Sequence, residues 1–233
     1  VIGVANLQEL YRGLKRVAPF KPTPSPPSTP VERGPSSTFD DVIGHEQAKR
    51  ALIIAAAGRH NLLFSGSPGA GKTLLAKSLQ SILPPLTDKE IVEVTKLQGL
   101  SSGDTQAICV TPPFRAPHHS ITLSGLIGGG LRPRPGDISL AHKGVLFLDE
   151  LPEYPRQTLE ALRQPLEERK VSLSRLYEHI TYPADFLLVA TMNPCPCGYL
   201  GDSAVSCTCS AMQINSYQKK VSGPLLDRFD LRL

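Results

Sequence analysis

No apolar run in this sequence approaches the roughly 18–20 residues that a helix needs to span a bilayer. Residues 1–10 carry neither a basic stretch nor a long apolar one, so no secretory signal is expected. These two absences point away from a helical membrane protein and from export, and toward a cytoplasmic protein with no membrane partner. An initiator methionine is also missing, so the chain is expected to be a piece of something longer. There is no dense Lys/Arg run: the net charge of +4 permits nucleic-acid binding without arguing for it. No internal repeat is found. Apolar residues do make up 40% of the 233, enough for the core of one α/β domain with extensions. Of the five cysteines, Cys109 stands alone and four cluster between residues 195 and 209. Clustered cysteines without an export signal read as metal ligands before disulfides.

The organisation follows from periodicity and from proline. Asn6 can cap a short amphipathic helix with Leu7, Leu10, Tyr11, Leu14 and Val17 on one face. Residues 18–38 hold proline at a density that forbids helices and sheet ladders, and read as a linker. Residues 1–17 then read as the tail of an upstream domain, and 39–233 as the globular part. There, 46–57 predicts a helix stopped by Gly58, 61–65 a short strand, and 72–83 a helix stopped by Pro84 and Pro85. Thr87 and Glu90 predict a capping box. Residues 100–144 are Gly/Pro/Ser-rich with weak periodicity. After them, 145–148 predicts a buried strand, 159–168 a helix, 171–173 and 180–182 the arms of a hairpin, and 186–190 a third buried strand. Continuous apolar strands between helices predict an α/β fold: a parallel sheet covered on both faces.

Gly66, Ser67, Pro68, Gly69, Ala70, Gly71, Lys72 and Thr73 fit G-x-x-x-x-G-K-[ST] between a strand and a helix. Glycines let successive N–H groups point at phosphates, and the following helix, which runs on through Leu74, adds its positive end. Lys72 is expected on the β- and γ-phosphates of ATP and Thr73 Oγ on Mg²⁺. The run 145–148 delivers Asp149 and Glu150 to a strand's C-terminal end, where open α/β sheets bind ligands. Asp149 is expected to hold Mg²⁺, and Glu150 to orient and polarise the attacking water. Asn193, just past the third strand, is the expected sensor of the γ-phosphate; the alternative is an Asx turn before Pro194. Arg228 is placed to serve a neighbouring subunit as an arginine finger, with a surface ion pair to Asp227 or Asp230 as the alternative.

Cys195, Cys197, Cys207 and Cys209 form C-x-C…C-x-C and are candidate ligands for one tetrahedral Zn²⁺. Free thiols or an oxidative disulfide are the alternatives. Such a metal would rigidify this loop and steady Asn193. Arg132 and Arg134 in a Gly/Pro-rich loop, with Arg169, Lys170 and Arg175 around the hairpin, are candidate phosphate contacts for DNA. Solvated loop charge is the alternative, and Tyr177 and Tyr182 are the only aromatics nearby. His118 and His119 lack a third ligand and read as a structural pair.

Together these residues resemble the AAA+ ATPases of the magnesium-chelatase group, and within it the ComM (YifB) branch. The stretches that carry the resemblance are FDDVIGHEQAKRAL (39–52), GSPGAGKT (66–73), FRAPHHSIT (114–122), GVLFLDELPEY (144–154), LLVATMNPCPCGYLGD (187–202) and SGPLLDRFD (222–230). The first 17 residues also look like the end of the Lon-like domain that precedes this module in that branch. The resemblance implies a homo-hexameric ring with ATP between subunits and residues 39–44 near the adenine. It also implies a helix-2 insert around 114–140 and a pre-sensor hairpin at 169–184, both facing a central pore. It implies a DNA helicase driving branch migration or, in the chelatase branch, a motor that drives Mg²⁺ insertion into a porphyrin. A nucleotide-gated assembly module without turnover is a further alternative. The family's helical lid, with its second sensor arginine, follows the finger segment and is expected to be missing here; its loss bears on hydrolysis and leaves phosphate binding intact.

Overall fold

The computed structural model describes residues 7–15, 38–102, 108–130, 133–174 and 179–233. Asn6, Val17, nearly all of the proline-rich linker, Arg132, Arg175 and Tyr177 lie outside the described residues. The helices are α1 (Leu7–Leu14), α2 (Glu46–Gly58), α3 (Lys72–Ile82), α4 (Asp88–Ser102), α5 (Leu123–Ile127), α6 (Asp137–Leu140), α7 (Arg156–Glu160), α8 (Arg163–Glu168), α9 (Ala211–Gln218) and α10 (Gly223–Leu226). The strands are β1 (Leu62–Ser65), β2 (Phe114–Arg115), β3 (Gly128–Gly129), β4 (Arg134–Pro135), β5 (Val145–Leu148), β6 (Lys170–Ser174), β7 (His179–Pro183), β8 (Leu187–Met192) and β9 (Leu231–Arg232). No helix among the described residues is long and apolar enough to cross a membrane.

Five strands form one sheet in the order β2-β5-β8-β1-β9, every pairing parallel. Side chains alternate across a strand, so an unbroken apolar run is stable only when both faces are covered. Leu62, Phe64, Val145, Phe147, Leu187 and Val189 pack on one face with Leu52, Ala55, Leu75 and Leu79 from α2 and α3. Leu63, Leu146, Leu148, Leu188 and Ala190 point to the other face and pack with Leu126, Ile138, Leu159 and Leu162. Each fully buried Leu of this kind contributes about 1.5–3 kcal/mol. Three adjacent central strands, β5, β8 and β1, therefore end side by side at one edge.

Several local expectations shift by a residue or split. Gly58 is the last helical residue of α2, and Arg59 takes the left-handed cap with φ 56°. The segment 159–168 is not one helix: α7 ends at Glu160 and α8 starts at Arg163. Pro165 has no N–H to give the carbonyl four residues back, but it is tolerated in the first turn of a new helix. At the start of α4 the Thr87 amide and hydroxyl both donate to Glu90 Oε2, at 3.0 and 2.8 Å. Half of the expected capping box is thus present. The Gly/Pro-rich stretch folds into β2, α5, the β3–β4 hairpin and α6.

At the opposite edge of the sheet a charged network ties α4 to β5 and β8. Lys143 Nζ donates to Asp185 Oδ2 at 2.8 Å and pairs with Glu90 Oε1 at 3.3 Å. Arg59 and Arg169 lie 3.5 and 3.8 Å from Asp185. His142 is 4% exposed; its Nδ1 accepts from the Asp185 amide at 3.0 Å, and its Nε2 faces Glu93 Oε2 at 3.1 Å. Burial lowers the His142 pKa, Lys143 adds to this, and Glu93 and Asp185 oppose it without prevailing. As pH falls below the ordinary histidine value of about 6.5, the unfolded chain takes up this proton before the native one. Stability should therefore fall with acidification, starting below about pH 6.5. We expect the melting temperature to drop by several degrees from pH 7.5 to 5.5, and the drop to shrink in His142→Gln. An equal drop in the variant would show that other groups carry it.

Candidate functional site

β1 delivers its chain end straight into the glycine-rich loop. Gly69 and Gly71 take φ 79° and 74°, values at which a Cβ would meet the following carbonyl. Gly71 is also the N-cap of α3, so the loop's amides and the helix's positive end face one cleft. Lys72 Nζ folds back to donate to the carbonyls of Gly66 and Ser67 at 2.6 and 2.9 Å and to Asn193 Oδ1 at 3.1 Å. Burial lowers the Lys72 pKa, while Asp149 and Glu150 pull it back up.

The second strand end is set by register. β5 and β8 pair Leu148 with Ala190, so Asp149 stands next to Thr191. Asp149 accepts from Thr73 Oγ1 at 3.0 Å through Oδ2 and from the Thr191 hydroxyl through Oδ1. Thr191 is 1% exposed, and its Oγ1 also accepts from the Glu150 amide at 3.0 Å. Glu150 is held at φ 55°, a strained value for a residue with a side chain. This kink turns the chain off the sheet and leaves Glu150 exposed at the cleft. Sequence reasoning missed Thr191; its signal was a hydroxyl at the end of an otherwise apolar run.

Residues 68–74, Asp149, Glu150, Thr191 and Asn193 line one cleft of about 440 Å³. A second cleft of about 370 Å³ adjoins it at Ala70 and Lys72 and is walled by residues 45–48 with Phe64, Ser65, Gly66, Leu75 and Leu233. Residues 39–44, expected near the adenine, lead directly into this wall at His45, and Phe39 is held by its amide on Ser81 Oγ at 3.1 Å and packs against the α2–α3 side of the core. His45, left-handed at φ 55°, is the wall residue that sequence reasoning missed. The pair of clefts offers a polar end for phosphates and a more apolar end for a flat ring. Thr73 Oγ1 and Asp149 Oδ2, hard oxygens at hydrogen-bond distance, fit the donor set Mg²⁺ takes.

Arg228 lies by the N-terminal end of β1, whereas this cleft is at the C-terminal strand ends. Its carbonyl accepts from Asn61 Nδ2 at 2.9 Å, ahead of β1, and its guanidinium pairs with Glu167 of α8. Its expected partners Asp227 and Asp230 bind Arg232 and the Asn61 amide instead. The Arg228 Nε is buried without a hydrogen-bond partner.

The four cysteines come together. Their sulfurs all lie within 4.8 Å of one another, and Cys195–Cys197, Cys195–Cys207 and Cys197–Cys207 are 3.3, 3.7 and 3.5 Å apart. A disulfide needs about 2.05 Å. Thiolates around Zn²⁺ at ~2.3 Å stand roughly 3.8 Å apart by tetrahedral geometry, which these sulfurs approach. Backbone amides of Tyr199 and Thr208 hold the Cys197 thiol well below its ordinary value, while Cys207 and Cys209, against the pull of the backbone amides of Cys209 and Cys197, are pushed up by burial and the neighbouring sulfurs. The basic loops also meet: Tyr182 of β7 donates to the Pro133 carbonyl beside β4 at 2.8 Å. Arg134 is exposed there, whereas Arg169 and Lys170 pair with Asp185 and Glu168 at 3.8 and 3.5 Å. The His118 and His119 rings lie tilted at 36° with centroids 3.9 Å apart, and His118 Nδ1 is 2.8 Å from Ser120 Oγ.

The family model described as magnesium chelatase, subunit ChlI, matches residues 38–233. The chain is 52% identical over 202 residues to the uncharacterized protein YifB of Salmonella typhimurium, covering 85% of this chain and 40% of that protein. It is 51% identical over 194 residues to the competence protein ComM of Haemophilus influenzae, covering 83% and 38%. The magnesium-chelatase 67 kDa subunit of Heliobacterium mobile is 27% identical over 193 residues, covering 70% and 29%. The chain thus spans about two fifths of the length of its more similar relatives. Among solved structures, NtrX of Brucella abortus in complex with ADP aligns with a TM-score of 0.51 at 16% identity, over 82% of this chain and 36% of that one. At that identity the likeness speaks to the fold alone.

Proposed function

The chain belongs to the magnesium-chelatase family of AAA+ ATPases, and on that premise we propose that it binds ATP with Mg²⁺ and hydrolyses it as the motor core of a ring-forming DNA helicase of the ComM type, working in the cytoplasm. The observation that carries the reading is the junction of three strand ends, where Asp149 bridges Thr73 and Thr191 while Lys72 reaches Asn193. The amides of residues 66–73 and Lys72 take the phosphates. Thr73 and Asp149 hold Mg²⁺, which neutralises phosphate charge when bound. Glu150 orients the attacking water and accepts its proton, and Asn193 reads the γ-phosphate through its contact with Lys72. Arg228 completes the site of a neighbouring subunit in the hexamer. Cys195, Cys197, Cys207 and Cys209 hold a structural Zn²⁺.

DNA is favoured as the substrate by the 51% identity to a competence protein, and by the hydrogen bond that sets the two basic hairpins side by side. Arg132, Arg134, Arg169, Lys170 and Arg175 would then contact its phosphates. The chelatase reading rests on a relative at 27% identity and ranks second. The test is ATP hydrolysis by the protein alone, with single-stranded DNA and with forked DNA, at two salt concentrations. Salt-sensitive stimulation by DNA supports the helicase reading. Hydrolysis indifferent to DNA moves the weight to a protein-remodelling, chelatase-like role, and binding without hydrolysis leaves an assembly module.

A further inference from the structure

The cysteine loop does more than follow the sensor: it lies against the phosphate loop. No helix or strand occurs between the end of β8 at Met192 and the start of α9 at Ala211. Loops of more than about 12–15 residues without secondary structure are uncommon in compact domains, and an ordered one is usually functional. Two of its residues touch the phosphate loop directly. Asp202 Oδ2 accepts from Ser67 Oγ at 2.6 Å. Gly198, at φ +87°, approaches Pro68 so closely that a Cβ there would stand 2.6 Å from Pro68 Cγ and Cδ. Both contacts fall inside the span that the four sulfurs enclose, Cys195 and Cys197 before and Cys207 and Cys209 after. Cys195 is fully buried, and Gln218 of α9 donates to the Pro194 carbonyl at 3.2 Å, which fixes the base of the loop.

We propose that this loop, tied by a metal ion on its four sulfurs, is a clamp on Ser67 and Pro68, so that metal occupancy sets the affinity for nucleotide. The proposal rests on the zinc reading above and adds a consequence to it. A phosphate loop must hold several N–H dipoles pointing at one spot, an arrangement that repels itself until an anion arrives. Bracing it beforehand removes part of the ordering cost of binding. Ser67 is the right place to brace, because its carbonyl also takes the Lys72 ammonium at 2.9 Å. Releasing Ser67 lets Lys72 drift with it. With the metal gone, four converging sulfurs no longer share a cation, and the two ends of the span carrying Gly198 and Asp202 are left joined by weaker ties such as the Cys197 amide on Cys209 Sγ at 3.4 Å.

The test uses zinc content by mass spectrometry together with titration of a fluorescent ATP analogue at saturating Mg²⁺. We expect one zinc per chain, a weakening of nucleotide binding of roughly fivefold or more on removal with a zinc-selective chelator, and recovery on adding ZnCl₂. Asp202→Ala cuts the clamp but keeps all four ligands. It should retain its zinc and still bind nucleotide roughly fivefold more weakly. Zinc at one per chain with unchanged affinity in Asp202→Ala overturns the clamp and leaves the zinc site standing, even if the metal-free chain unfolds. No zinc at any stage, with the thiols free or paired as disulfides, overturns both.

Discussion

Glu150→Gln is expected to bind ATP within about twofold of the unaltered protein while turning it over ~10²–10⁴ times more slowly, the range a positioned general base contributes. The side chain keeps its length, and the backbone keeps its left-handed turn and its amide bond to Thr191 Oγ1. Only the ability to accept a proton is lost. The local structure argues for this role because a non-glycine residue at φ 55° costs on the order of 1–2 kcal/mol. Here that strain turns one carboxylate out of a buried strand end into the cleft beside Lys72. Nucleotide binding and single-turnover hydrolysis, measured on one preparation, separate the two effects. Turnover at the unaltered rate would place the base elsewhere. Loss of binding and turnover together would make Glu150 a structural residue.

Arg228→Ala should lower turnover by ~10³-fold or more, the scale of an arginine finger, and leave binding to the subunit's own phosphate loop intact. Within one subunit the guanidinium sits away from that subunit's cleft, paired with Glu167 and with an unpartnered buried Nε. The guanidinium head is partly exposed, free to meet a neighbouring subunit, while the buried Nε is an unsatisfied donor that an incoming acceptor relieves. Mixing inactive Lys72→Ala and Arg228→Ala subunits tests the arrangement. About a quarter of the interfaces in a random ring would join an intact phosphate loop to an intact finger, so activity should return to at most that fraction. A mixture as dead as its parents, with Arg228→Ala folded and binding nucleotide, would mean that Arg228 acts within its own subunit or only on structure.

The phosphate loop, the Asp149–Glu150 strand end and the coverage of the sheet on both faces could be read from the sequence because each is a local pattern. A glycine-rich loop needs its glycines at fixed offsets, and a doubly buried strand must be apolar at every position. The signal for the break at residues 161–162, Pro165 with its missing N–H, was local too, and reading 159–168 as one helix gave the apolar pattern more weight. Other features were decided only when the chain folded. Thr191 reaches Asp149 because β5 and β8 pair in one register, and a shift by one residue would turn its hydroxyl to the other face. Asp202 meets Ser67 across 135 positions, and Arg228 finds Glu167 across 61, through the way loops and helices pack on the sheet. Local preferences carry no information about which distant polar group will stand opposite. Residue order thus determined what chemistry the strand ends bear, and the tertiary structure decided which groups hold that chemistry in place, because those contacts depend on register and packing.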